Sequence, residues 1–186
     1  MLFNRHFDLV GEHAFLSASK YHWINYDEEK LDHVWKAQNA AKRGTELHAL
    51  AHQCIRLGVK LPKNQQTLSL YVNDSIGYQM TPEQILYYSD NAFGTADTIG
   101  FRRNTLRIFD LKTGRLATSV HQLEVYAALF CLEYKFKPMD IGIELRIYQS
   151  NEVQVFDADP DVITHIMDKI VVFDKRINAL RLEEML

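Results

Sequence analysis

The sequence lacks several features that define whole classes of protein. It has only 2 cysteines, Cys54 and Cys131, which are far apart and occur in helical patterns, so neither a disulfide framework nor a four-cysteine iron–sulfur cluster is expected. No run of about 18 apolar residues occurs, and the first residues lack the long apolar core of a signal peptide. The sequence therefore predicts an intracellular, cytoplasmic protein with no membrane partner.

An excess of positive charge is also missing. The formal net charge is −3, which excludes a polycation that would coat nucleic acid indiscriminately. Any affinity for nucleic acid must therefore be local, and basic residues do cluster at 42–43 and along 102–115. Two of them, Arg102 and Arg103, are also explained as the solvated tip of a hairpin.

What is present is an ordinary globular composition, with 47% hydrophobic and 24% charged residues. A chain of 186 residues is most simply one domain with a sizeable core, and no internal repeat or low-complexity segment divides it. Within 1–186 we expect a helical part at 1–80, a sheet core with a crossover helix at 81–158, and a C-terminal helix at 159–186.

Hydrophobic periodicity predicts a chain in which helices and strands alternate. Four helices are expected. The first starts at Asp27 and ends at Gly58, and the second contains Leu68 to Met80 and stops before Pro82. The third is Leu116–Tyr134, and the fourth follows Asp159. The expected strands are Glu83–Tyr88, the two sides of a hairpin with its tip at Arg102–Thr105, Ile141–Ile147 and Val153–Asp157. This order predicts the α/β (α+β) class, with a mixed central sheet flanked by helices.

The central hairpin brings charged residues together. If its turn is centred between Arg103 and Asn104, Asp97 lies opposite Asp110, a pairing of like charges that is destabilising. Lys112 projects to the same face as Asp110, because strand residues two apart share a face. The repulsion must be offset, and a divalent cation held by both carboxylates, with the ammonium beside it, is the favoured interpretation.

Several short motifs occur in a fixed order around this hairpin. They are Leu16–Ser19 (LSAS) with Trp23, Arg43–His48 (RGTELH), Gly94–Asp97 (GTAD), Asp110–Gly114 (DLKTG) and Gln122–Tyr126 (QLEVY). In this order they resemble the N-terminal, histidine-supplying, second, third and QxxxY motifs of the RecB-like branch of the PD-(D/E)XK nuclease superfamily. The resemblance covers roughly residues 16–126 and implies a restriction-endonuclease-like αβββαβ core.

The same resemblance implies a metal-dependent nuclease site that uses Mg²⁺ or Mn²⁺. His48, Asp97, Asp110 and the Leu111 carbonyl would hold the cation, and Lys112 would orient the attacking water and stabilise developing charge. The third motif reads Asp-x-Lys where many members have Glu-x-Lys, which shortens the ligand but keeps its charge.

The QxxxY motif implies contacts with the DNA substrate. Gln122 and Tyr126 are four apart on a helix and therefore share a face, from which they would contact the DNA backbone or order the active site. Arg115, a cation between the third motif and this helix, is placed with them as a substrate-binding residue.

Each site residue also has an alternative interpretation. Taken singly, Asp97 and Asp110 could be ordinary strand-end carboxylates, and His48 could be a packing residue at the edge of an apolar helix face. His52 suggests the HExxH motif of zinc proteases, but the glutamate which that motif needs is Ala49, so His52 is interpreted as structural or as a residue behind the ligands. Glu83 could join the metal site from the first strand.

Together these features predict a deoxyribonuclease that hydrolyses phosphodiester bonds, an exonuclease in phage or bacterial DNA recombination, repair or degradation. It would act on DNA in the cytoplasm of a bacterial or infected host cell, as a homo-oligomer or with a recombination partner protein. The alternatives are a non-catalytic nucleic-acid-binding or regulatory protein on the same fold and a structure-specific endonuclease.

Overall fold

The computed structural model describes Phe7, Gly11 and residues 14–114 and 119–184. Contacts within the chain divide it into two compact units, Met1–Thr45 and Glu46–Leu186. The helix α1, Glu28–Leu57, runs through the boundary between them. It begins as predicted, because the carboxylate of Asp27 accepts a hydrogen bond from the Lys30 N–H at 2.8 Å and so caps the first turn.

The first unit also contains a 3₁₀ segment, Ala18–Asn25, in front of α1. The Trp23 indole donates a hydrogen bond to the Ser17 carbonyl at 2.9 Å, which ties this segment to its own beginning. The Phe15 ring meets the Trp35 ring edge-on, with 5.0 Å between their centroids.

The second unit is built around one sheet. Its elements are α2 (Thr67–Gly77), β1 (Thr81–Ser89), β2 (Ala92–Arg102), β3 (Thr105–Leu111), α3 (His121–Tyr134), a 3₁₀ turn (Pro138–Asp140), β4 (Gly142–Gln149), β5 (Glu152–Asp157) and α4 (Pro160–Glu184). The strands lie in the order β1-β2-β3-β4-β5, and only β3 and β4 pair in parallel. A parallel pair needs a crossover, and α3 supplies it. The predicted class is confirmed: this is an α+β structure with a mixed sheet and flanking helices.

Each face of the sheet carries its own hydrophobic core. On one face Leu106 and Ile108 pack with residues of α3 and α4. On the other, Phe109 and Leu111 pack with residues of α2 and of the C-terminal half of α1. Because alternate residues of β3 enter opposite cores, this strand is buried on both faces and fixes the hairpin between the two helical layers.

Three predicted boundaries are wrong. The second helix ends at Gly77, and β1 begins at Thr81 and so includes Pro82. An edge strand tolerates a proline because one of its sides has no neighbouring strand that needs a backbone N–H. The helix α3 begins at His121 and not at Leu116, since the Ser119 hydroxyl accepts the His121 N–H at 3.2 Å and the two residues before His121 are not helical. Leu116 itself lies outside the described residues.

No helix within the described ranges is both long and apolar enough to cross a bilayer. Cys54 and Cys131 are buried, one in each core.

Candidate metal centre

The β2–β3 hairpin has the predicted register. Arg103 and Asn104 form a two-residue turn with φ of 50° and 57°, the left-handed conformations that suit a tight hairpin. From this turn the strands pair through 5 rungs without a shift. The last paired rung is Thr98 with Phe109, and Asp97 and Asp110 come directly after it on their two strands, so both carboxylates lie at the same end of the hairpin.

The Asp110 carboxylate is buried and incompletely hydrogen-bonded. Asp110 is 3% exposed, and the Lys112 ammonium donates a hydrogen bond to its Oδ1 at 3.0 Å. The ammonium also lies 2.9 Å from Oδ2 but lacks hydrogen-bond geometry there, so Oδ2 has no hydrogen-bond partner among the described residues. Burial raises the pKa of the Asp110 carboxyl; Lys112 opposes this rise and the charge of Asp97 adds to it.

The Asp97 carboxylate is held by the backbone of the neighbouring strand. Its Oδ2 accepts a hydrogen bond from the Leu111 N–H at 3.0 Å and lies 3.5 Å from Nδ1 of His48. Its side chain is 22% exposed, so it borders the solvent while Asp110 does not. The predicted ligand residues His48, Asp97, Asp110 and Leu111 therefore come together, although they belong to one helix and two strands.

Two histidines of α1 lie beside Asp97. His48 and His52 are four residues apart and therefore share a helix face, and their ring centroids are 5.9 Å apart. One ligand atom from each of His48, His52 and Asp97 lies within 4.8 Å of the other two, a spacing that could hold a metal ion. The sequence interpretation kept His52 behind the ligands, although the four-residue spacing was a signal that it shares the face of His48.

Glu83 completes the cluster from β1. The β1–β2 pairs include Pro82 with Thr98 and Gln84 with Ala96, and Glu83 between them is unpaired with φ of 52°. Its Oε1 lies 2.9 Å from Nδ1 of His52, and its Oε2 accepts a hydrogen bond from Arg56 at 3.0 Å. The contact with His52 lowers the pKa of the Glu83 carboxyl, and Arg56 adds to that effect.

The helix α3 is linked to Lys112, and through it to Asp110, by a chain of polar contacts. Lys112 donates to Oε1 of Gln122 at 3.0 Å, and Nε2 of Gln122 donates to the Tyr126 hydroxyl at 3.1 Å. The Tyr126 ring packs against Gly94, where an added Cβ would lie 2.9 Å from Cε1 of the ring. This contact explains the glycine of the GTAD motif. Arg115, the third predicted substrate-binding residue, lies outside the described residues.

A cavity of about 240 Å³ lies beside Lys112. Its lining residues are Leu47 of α1, Thr67 and Leu68 of α2, Leu111, Lys112, Thr113, Gly114 and Ser150. The cavity is large enough for several water molecules or for one phosphate group, and the ammonium of Lys112 borders it.

Comparisons with known proteins return no match. No protein-family model matches this sequence, and neither the curated proteins nor the solved structures contain a significant match to the chain. What this chain does must therefore be inferred from the chemistry of the site.

This donor set fits a divalent cation. It combines carboxylate and imidazole donors, which together suit Mg²⁺, Mn²⁺ and the later divalent ions. Among the described residues the buried Oδ2 of Asp110 has an ion-pair contact with Lys112 but no well-formed hydrogen bond, and an incompletely satisfied buried carboxylate oxygen is costly. A cation at this oxygen would remove that cost and the repulsion from Asp97.

Proposed function

We propose that this protein is a metal-dependent deoxyribonuclease with a restriction-endonuclease-like core. The observation that carries the proposal is the buried Asp110 carboxylate, which has one oxygen without a hydrogen bond and an ammonium 2.9 Å away. One ammonium balances only one of the two neighbouring carboxylates, Asp97 and Asp110, and a divalent cation would balance the remaining charge and bind a reacting phosphate.

The residues would divide the work of phosphodiester hydrolysis. His48, Asp97, Asp110 and the Leu111 carbonyl would hold Mg²⁺ or Mn²⁺, which, when bound, lowers the pKa of a water molecule and neutralises phosphate charge. Lys112 would orient the attacking water and stabilise the charge that develops on the phosphate. Its contact with Gln122 holds the ammonium at the border of the cavity.

The helix α3 would position the DNA. Gln122 and Tyr126 form a hydrogen-bonded pair that continues outward from Lys112, so a phosphate bound at this pair would be continuous with the scissile one. The likeness of this pair to the QxxxY motif favours an exonuclease. A cytoplasmic role in phage or bacterial DNA recombination, repair or degradation, with a second copy or a recombination protein as partner, belongs to the same proposal.

The test uses DNA topology and metal together. Purified protein is incubated with linear and with covalently closed circular DNA, in Mg²⁺, in Mn²⁺ and in chelator, and the Lys112→Ala variant prepared in parallel controls for a contaminating nuclease. We expect degradation of the linear DNA alone, in metal alone and by the parent alone. Cleavage of closed circles would indicate an endonuclease. Binding without cleavage in every metal would indicate a non-catalytic DNA-binding protein.

A further inference from the structure

His52 is a buried histidine whose Nδ1 contacts the carboxylate of Glu83 and whose Nε2 has no polar partner in the described residues. It is 6% exposed, and neither ring nitrogen has a partner with hydrogen-bond geometry, although Oε1 of Glu83 lies 2.9 Å from Nδ1. A purely structural histidine at this depth normally satisfies its polar atoms. Nε2 is therefore the nitrogen that needs a partner.

The backbone at Glu83 is held in an unusual conformation beside this histidine. The left-handed region is unfavourable for a residue with a side chain, and outside turns and helix ends it is often found at functional sites. Glu83 adopts it at φ of 52°, in the gap of the β1–β2 pairing beside Asp97. In this conformation its carboxylate contacts Nδ1 of His52.

A carboxylate on one imidazole nitrogen is the arrangement that prepares the other nitrogen to bind a metal. It fixes the tautomer and ring orientation and makes the free nitrogen more basic. Two ligands of one ion are at most about 4 Å apart, given metal–nitrogen distances near 2.1 Å. The ligand atoms of His48, His52 and Asp97 lie within 4.8 Å of one another, so a small rotation of the side chains brings them to one ion.

We propose that His52 binds the metal through Nε2, that Glu83 positions it, and that the centre consequently has two imidazole ligands. The inference depends on the metal site of the proposed function and adds a ligand to it. Imidazole suits the later divalent ions such as Co²⁺ and Zn²⁺ better than Mn²⁺, whereas Mg²⁺ keeps to oxygen ligands and water. The centre therefore selects a transition metal over Mg²⁺.

The test measures metal affinity directly. Co²⁺, Mn²⁺ and Mg²⁺ are titrated by calorimetry into the full chain after treatment with chelator, and the visible spectrum of bound Co²⁺ reports its ligands. The variants are His52→Asn, whose amide can still donate to Glu83, and Glu83→Gln, whose half-exposed side chain puts folding at little risk. The control is His121→Asn, because His121 also contacts a carboxylate, that of Glu124, but is 82% exposed on α3.

We expect the parent to bind Co²⁺ and Mn²⁺ more tightly than Mg²⁺. Loss of the carboxylate that supports a histidine ligand typically costs about 10–100-fold in metal affinity, so Glu83→Gln should lose about tenfold for Co²⁺. His52→Asn removes the ligand itself and should lose more than Glu83→Gln. Mg²⁺ affinity should change less than about threefold, since Mg²⁺ does not need the nitrogen. The Co²⁺ spectrum should change in His52→Asn and stay unchanged in His121→Asn.

Parental Co²⁺ affinity in both His52→Asn and Glu83→Gln would overturn the inference, as would an equal loss for Mg²⁺ and Co²⁺. If circular dichroism shows that His52→Asn does not fold, Glu83→Gln alone decides. Cleavage assays on the same samples separate the two proposals. If the variants keep parental Co²⁺ affinity and the parent cleaves DNA, the protein is a nuclease in which His52 is not a ligand. If the variants lose Co²⁺ affinity but the parent cleaves no DNA, His52 is a metal ligand and the proposed nuclease activity is wrong.

Discussion

Two networks of buried charge lie in this sheet, and they are completed to different degrees. On β4, the Arg146 guanidinium donates to Oε1 of Glu144 at 2.8 Å, to Oδ2 of Asp74 at 3.3 Å and to the Tyr78 hydroxyl at 2.8 Å. Asp74 also accepts a hydrogen bond from the Tyr148 hydroxyl at 2.8 Å. Arg146, Glu144 and Asp74 therefore each have an oppositely charged partner and a hydrogen bond. The neighbouring Arg107, whose Nε lies 3.5 Å from Glu144, is the one cation at this end of the described sheet that lacks a hydrogen bond at a buried nitrogen.

The network on β3 is incomplete. Lys112 bonds one oxygen of Asp110 and the amide of Gln122, but the second Asp110 oxygen, although buried, receives no hydrogen bond within the described residues. Nearby His52 has the same deficiency. Since a half-satisfied buried network destabilises a fold, its persistence indicates a role other than folding, whereas the network of Arg146 is explained by folding alone.

The sharpest contrast comes from removing the cation of the incomplete network. Lys112→Ala should lower kcat about 10²–10³-fold, the usual effect of deleting a group that stabilises transition-state charge, or about 2.7–4 kcal/mol. Metal affinity, measured by calorimetry, should stay near that of the parent because the ammonium does not bind the cation. The free energy of unfolding with Mn²⁺ bound should also stay near that of the parent, since the metal ion compensates for the lost ammonium charge. Near-parental turnover would remove Lys112 from the mechanism.

Removing the cation of the complete network should have the opposite result. Arg146→Met leaves Asp74 without a cation and leaves Glu144 with Arg107 alone, 3.5 Å away. Because Asp74 is partly exposed, we expect a loss of about 3 kcal/mol in the free energy of unfolding, the low end for a broken buried ion pair. Urea denaturation measures this loss. Arg176→Met is the control, because the Arg176–Glu183 pair is exposed and should contribute less than about 1 kcal/mol. Equal losses in both variants would show that the β4 network does not support the fold.

The sequence predicted much of the incomplete network and none of the complete one. Asp97, Asp110 and Lys112 belong to one hairpin, so a two-residue turn was enough to align them. Gln122 and Tyr126 were placed by helical spacing alone, but their link to Lys112 depends on where the crossover helix lies.

Residues that meet through distant pairings could not be predicted. Glu83 reaches His52 only because the β1–β2 pairing is interrupted at that residue, and no pattern of hydrophobic residues records such an interruption. Arg146 and Asp74 come from a strand and a helix that are far apart in sequence, so their contact is a property of the assembled sheet.

The Asp110→Asn variant distinguishes two effects of the buried carboxylate, its destabilisation of the metal-free fold and its contribution to metal binding. Burial raises the pKa of Asp110, so its ionised form is the one that destabilises the folded state; the metal-free parent loses stability as pH rises above the ordinary range for aspartate. Asp110→Asn lacks this loss and should be as stable as the metal-free parent, or slightly more stable, at about pH 7. The parent should gain about 2.7 kcal/mol from Mn²⁺ at a hundred times Kd, and the variant little or nothing. Thermal melts with and without metal measure both effects, and a strongly destabilised metal-free variant would make Asp110 a structural partner.

The smallest expected effect lies at the outer end of the incomplete network. Tyr126→Phe removes only the hydroxyl that accepts the Gln122 amide, and an exposed neutral hydrogen bond contributes about 1 kcal/mol. Because this bond orients Gln122 for DNA and does not touch the metal, KM for DNA should rise about fivefold while kcat and metal affinity stay unchanged. Gly94→Ala is the matched variant, since its Cβ would displace the same ring and should raise KM similarly with the hydroxyl still present. A large fall in kcat in Tyr126→Phe would instead place the hydroxyl among the reacting groups. The helix α3 would then take part in catalysis and not only in positioning the DNA.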